Sequence, residues 1–234
     1  MDPKTKVRGR RELLRRGGIL LGASALAALA GPAQAAWFEK EEEIGPTEDL
    51  MREHGALSRI LLIYEAIAVR IETDREYPPA VLIASAGLIQ HFVEDYHERL
   101  EEQHIFPLFR KAGRLTDLVQ VLLAQHAAGR RLTAQILRQA GAPASSEPRR
   151  PLAASLRQFI RMYRPHKARE DTVLFPQLRG VASRRAYGKM GDRFEDRENE
   201  LFGKNGFEKI VEQIDALERQ MGIERLSDFT PPTA

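Results

Sequence analysis

The chain contains no cysteine. Disulfides, iron–sulfur clusters and thiol nucleophiles are therefore excluded, although the absence alone says nothing about compartment. Only one tryptophan is present, and no stretch shows the alternating pattern of a half-buried strand, so an all-α fold is expected. Long hydrophobic runs are also missing. The longest, Ile19–Ala30, has twelve residues, against the roughly 20 needed to span a bilayer.

That run sits between a basic start, "GRRELLR" (Gly9–Arg15), and an Ala-x-Ala end, "PAQA" (Pro32–Ala35). The combination reads as an export signal over residues 1–35. Arg10-Arg11-x-Leu13-Leu14-Arg15 is similar to the twin-arginine (Tat) pattern, with an ordinary Sec signal as the alternative. The expected location is periplasmic or otherwise exported. Residues 1–35 hold seven Lys/Arg against Asp2 and Glu12, a net of +5, whereas the whole chain is +3. The remainder is therefore −2 and carries no nucleic-acid footprint. Once the signal is cleaved, no membrane segment is expected.

What is present is helical periodicity. An acidic coil lead-in (36–46) is followed by Thr47 as a prospective N-cap, with Glu48 and Asp49 in the first turn. Leu50, Leu57, Leu61, Tyr64 and Ile71 then mark a helix over about 47–74. Pro78-Pro79 opens a second helix, with Ile83, Ala86, Val93, Leu100 and Leu108 on its stripe, ending near Phe109. Leu115, Val119, Leu122 and Ile136 mark a third, ending at Gly141. After the loop "GAPASSEP" (Gly141–Pro148), a fourth carries Leu152, Leu156, Phe159 and Met162 and runs to about Leu174. Four such helices with short connections predict an up-down-up-down four-helix bundle over 47–180. Beyond Gly180 a C-terminal helical extension (181–228) reads as broken and highly charged, with one additional helix over 207–221. The last residues, 229–234, read as a disordered tail.

The chain repeats itself. "HERLEEQHIFP" (97–107) and "HKAREDTVLFP" (166–176) share His-x-x-x-Glu, five further residues and Phe-Pro, at an offset of 69. His54 and His126 match at 72. Each half is thus a helix with one histidine followed by a helix with His-x-x-x-Glu. All six residues fall on apolar stripes. A single histidine there is readily a core residue satisfied by a hydroxyl or carbonyl. Two carboxylates among leucines, each with a histidine one turn away, need compensation. Four imidazoles and two carboxylates on facing helices match a dinuclear metal centre built from His54, His97, Glu101, His126, His166 and Glu170. Pseudo-twofold symmetry leads us to expect one metal between His54 and His166 and the other between His97 and His126. His91, His104 and Glu94 have no counterpart in the other half. His104, Glu94 and Tyr163 remain possible outer partners, with His91 at an edge or in solvent.

These residues, with the trailing "IFP" and "LFP", resemble the hemerythrin-like family, or HHE cation-binding domain, over roughly 47–180. The resemblance implies a non-haem di-iron centre of the four-His/two-Glu variety, two iron ions with both glutamates bridging; another divalent metal remains open. It departs from the oxygen-carrying members, which use five histidines, a glutamate and an aspartate. It is closer to members linked to nitric oxide and iron–sulfur repair, yet lacks their cysteine-bearing domain. The expected function is an exported di-iron protein binding a small ligand (O₂, NO or peroxide). A di-iron oxidoreductase (peroxidase- or oxidase-like) and an iron storage or sensing protein are the alternatives. Its redox partner is not legible.

Overall fold

The computed structural model describes residues 44–141 and 149–231. The expected export signal, most of the coil lead-in, most of the Gly141–Pro148 loop and the last three residues lie outside them. Among the described residues there is no strand, and no helix is long and apolar enough to cross a membrane.

Among the described residues six helices form the fold, the first four as an up-down-up-down bundle: α1 (Pro46–Glu72), α2 (79–112), α3 (Thr116–Ala140), α4 (Arg150–Arg169), α5 (Arg184–Phe202) and α6 (Gly206–Met221). α1 begins one residue before Thr47. Gly45 is its N-cap, and the Glu48 carboxylate accepts from the Gly45 N–H at 2.8 Å. Thr47 instead shares a 2.8 Å hydrogen bond with the Tyr187 hydroxyl, tying α1 to α5. α2 starts at Pro79, whose missing N–H costs nothing in a first turn. Gly113, at φ 63°, ends α2, and Leu115 enters α3 at φ 50°.

The α1 stripe is buried as expected from its spacing, with Leu50, Leu57, Leu61, Tyr64 and Ile71 all in the core. On α2, Ala86, Val93 and Leu100 are buried but Ile83 is 43% exposed. The cause is local. α2 contains two π-helical segments, Ile89–His97 and Glu101–Ile105. Each widened turn shifts the register, so a 3.6-residue period run back from His97 arrives on the wrong face. A third π turn, Glu170–Leu174, follows α4 and passes into a 3₁₀ stretch, Phe175–Gly180.

The charged stretch after Gly180, read as broken, forms α5, a 19-residue helix. Ser183 caps it by accepting from the Ala186 N–H at 3.2 Å. Its buried side is thin, Tyr187, Met190 and Phe194 among many charges, which is why periodicity understates it. α6 follows with Ile210, Ile214 and Leu217 buried. The α5–α6 hairpin packs on α1 and α2, so the extension supplies two helices where one was expected.

Candidate metal centre

The six residues singled out by the repeat converge in the bundle interior. His54, His97, Glu101, His126, His166 and Glu170 are each 4% exposed or less. The histidines pair within each half of the repeat. His54 Nε2 and His97 Nε2 are 3.0 Å apart, and His126 Nε2 and His166 Nε2 are 3.2 Å apart. This corrects the expected grouping of His54 with His166 and His97 with His126. α1–α2 and α3–α4 are each antiparallel neighbours, so each hairpin brings its own two imidazoles together.

The glutamates, not the histidines, cross between the halves. Glu101 turns Oε1 toward His97 at 3.7 Å and Oε2 toward His126 at 3.4 Å. Glu170 places Oε2 3.4 Å from His54 and 3.1 Å from His166. Each carboxylate therefore spans both histidine pairs. Both glutamates begin a π turn, an arrangement that concentrates at functional positions.

Each of these four histidines is held from behind. His54 Nδ1 meets Asp171 at 2.7 Å and His97 Nδ1 meets Glu53 at 2.8 Å. His126 Nδ1 meets Glu102 at 3.1 Å and His166 Nδ1 meets the Gln125 amide oxygen at 2.9 Å. In the neutral ring, an acceptor behind each Nδ1 fixes the tautomer, with the proton on Nδ1 and the lone pair on the inward Nε2. These four acceptors went unnoticed in the sequence, though the repeat signals them. Glu53 and Gln125 each precede the first histidine of a half, and Glu102 and Asp171 each follow the glutamate.

The Phe-Pro pairs also find a role. Phe106 lies against His126 (ring centroids 5.5 Å, planes 28° apart), and Phe175 lies against His54 (5.7 Å, 18°). Each phenylalanine covers the histidine of the opposite half. The following proline has no N–H for the carbonyls of the preceding π turn, so the regular ladder cannot re-form there.

Tyr163 reaches the edge of this assembly. Its ring stands edge-on to His166 at 5.3 Å, and its hydroxyl donates to Glu98 Oε1 at 2.6 Å. Arg130 binds both Glu98 and Glu102 at 2.7 Å. Glu94 is buried, with its backbone carbonyl 3.5 Å from Arg130. His104 does not reach the centre either. The π turn Glu101–Ile105 carries it outward, into a groove where its ring lies 5.9 Å from Phe194 of α5. His91 is solvent-facing, its side chain 71% exposed.

The electrostatics of this interior favour cations. All four oxygens of Glu101 and Glu170 are buried without a hydrogen-bond partner; their approaches to the imidazoles are not aligned as hydrogen bonds. Burying a carboxylate uncompensated costs several kcal/mol. Burial, then the Glu170 charge, pushes Glu101 well above the usual carboxylate range. Burial would also raise Glu170, but His166 and His54 outweigh it and hold Glu170 low. Burial opposes a charge on His54, yet Asp171 and Glu170 prevail and raise it to about 9. Burial lowers His97 and brings His126 down to about 4. Glu98 is pushed up to about 8 by burial, only partly offset by Tyr163 and Arg130. Burial is likewise overridden at Glu102, which His126 and Arg130 hold at about 2.

The donor set fits a metal pair. Two Nε2 lone pairs about 3 Å apart repel unless a proton or cation lies between them, and that separation suits adjacent ligands on an ion with bonds of about 2.1 Å. His54, His97 and Glu101 offer one group of ligand atoms within 4.8 Å of one another, and His126, His166 and Glu170 offer a second.

Comparison with known proteins agrees. The family model for the hemerythrin HHE cation-binding domain matches residues 45–178. An uncharacterized protein of Mycobacterium bovis and another of Mycobacterium tuberculosis are each 44% identical over 232 residues, covering 95% of this chain and 91% of the relative. No solved structure matches significantly. With its six site residues inside the matched segment, the chain belongs to the hemerythrin HHE cation-binding domain family.

Proposed function

We propose that the chain is an exported non-haem di-iron protein that binds a small diatomic or peroxide ligand. The observation that carries this reading is the set of four orphaned carboxylate oxygens, three of which face the four inward Nε2 atoms. His54 and His97 would hold one ion, His126 and His166 the other, with Glu101 and Glu170 shared. Two imidazoles and shares of two carboxylates leave an iron coordinatively incomplete, so bound iron would supply a redox-active position open to a small ligand.

The residues around the ligands have separate tasks. Asp171, Glu53, Glu102 and Gln125 hold the imidazoles in one orientation. Phe106 and Phe175 keep water from one face of His126 and His54. Export is supported by the basic, apolar and Ala-x-Ala sequence of residues 1–35.

Elemental analysis of protein purified without added metal tests the reading, followed by optical spectra with and without O₂, NO and H₂O₂. Two iron ions per chain and a reversible adduct are expected. One ion per chain, or zinc alone, overturns it. Sustained H₂O₂ turnover would favour the oxidoreductase alternative.

A further inference from the structure

The repeat is nearly symmetric, and two of its departures from symmetry weaken the same side. His54 and His97 are backed by two carboxylates, Asp171 and Glu53. His126 is backed by Glu102, but that carboxylate is shared with the Arg130 guanidinium at 2.7 Å. His166 is backed only by the neutral amide oxygen of Gln125, where the other half has Glu53. Glu98 Oε2 also stands 4.0 Å from His126 Nδ1, but Arg130 binds it at 2.7 Å too, so less negative charge reaches the second pair of imidazoles.

Coverage of Glu53 and of Gln125 differs in the same sense. The α5–α6 hairpin packs on α1 and α2. Glu53 is 2% exposed and within 4.8 Å of Glu198 of α5, so the backing of His97 is sealed by the extension. On the α3–α4 side a cavity of about 340 Å³ reaches His166 and Gln125, lined by Leu118, Val121, Leu122 and Pro165. Val121 at its mouth is 53% exposed.

We propose that the two metal positions are inequivalent, the His126/His166 position being the weaker and exchangeable one, with Gln125 as the positioning residue that sets the difference. The inference rests on the dinuclear reading above. A carboxylate behind a metal-bound imidazole raises its basicity, and loss of such a partner costs about 10- to 100-fold in metal affinity. The cavity beside His166 gives solvent and chelator a path to the same position.

The test is equilibrium titration of metal-free full chain with Co²⁺ against a competing chromophoric chelator, with the cobalt absorption as a second readout. Wild type should bind two ions in two steps, the second about 10- to 100-fold weaker. Gln125→Glu should tighten the second step by at least about 10-fold, a gain that damage to the fold cannot imitate. Glu53→Gln should weaken the first step by a similar factor. His166→Ala should remove the weak step and leave the strong one. On adding excess chelator, wild type should release one ion quickly and one slowly, and Val121→Trp should slow only the fast phase. Two steps of equal affinity, or no tightening in Gln125→Glu, overturns the inference while the dinuclear reading stands. A single ion per wild-type chain overturns the dinuclear reading itself.

Discussion

Phe175 lies almost flat against His54, with ring centroids 5.7 Å apart and planes at 18°, although the two belong to opposite halves of the repeat. Phe175→Ala opens a void in a fully packed interior, for which a loss of about 3–5 kcal/mol is expected. It also frees the His54 ring on one face. Phe175→Leu should keep most of the stability but weaken metal retention at the His54/His97 pair. Thermal denaturation of the metal-free variants and their cobalt titrations check both expectations; unchanged affinity in Phe175→Leu would remove the orienting role.

Glu101→Ala should lose far more metal than His104→Ala. Glu101 faces both histidine pairs, whereas His104 lies in the outer groove beside α5. Without the shared carboxylate, two neighbouring cations repel with less compensation. In the metal-free state the order changes, because Glu101 is then a buried group with no hydrogen-bond partner. Metal-free Glu101→Ala should equal or exceed wild type in Tm. Equal metal loss in the two variants would remove the bridging role.

A Cβ at Gly129 would come within 2.8 Å of Tyr163 Cζ, so glycine is needed where Tyr163 crosses α3. Gly129→Ala should push the phenol away from Glu98 and cost about 1–3 kcal/mol. Gly55, also mid-helix, has nothing within 4 Å of its prospective Cβ. Gly55→Ala should therefore stabilise, by about 0.5–1 kcal/mol. Denaturant melts of both variants give the comparison, and opposite signs are expected.

Metal affinity should rise with pH across the range in which His54 titrates. Its pKa is raised from 6.5 to about 9 in the metal-free fold. The stability contributed by its proton is present in full below pH 6.5 and lost as pH rises through about 9. A metal must displace that proton, so binding tightens over the same window. Asp171→Asn removes one of the charges that raise His54 and should move the window downward. Isothermal titration at several pH values, with proton release measured in buffers of different ionisation enthalpy, tests the sign.

Much of this protein was legible without coordinates. A period of 3.6 with almost no competing pattern determined the bundle, because an amphipathic helix must bury its stripe wherever it packs. The duplicated His-x-x-x-Glu named the six converging residues, because a carboxylate on an apolar face demands a partner whatever the topology. Even the acceptors Glu53, Glu102, Gln125 and Asp171 were written beside the motif. What they do was not readable, since adjacency along a helix does not say which Nδ1 a side chain meets on another. Only the tertiary structure decided that histidines pair within each hairpin while the glutamates cross, for this depends on which helices are neighbours. The π segments came from packing as well: Glu101–Ile105 sends His104 outward, and Ile89–His97 leaves Ile83 exposed. The folding of α5 likewise needed the assembled bundle, because its thin apolar stripe finds burial against α1, α2 and α6 together.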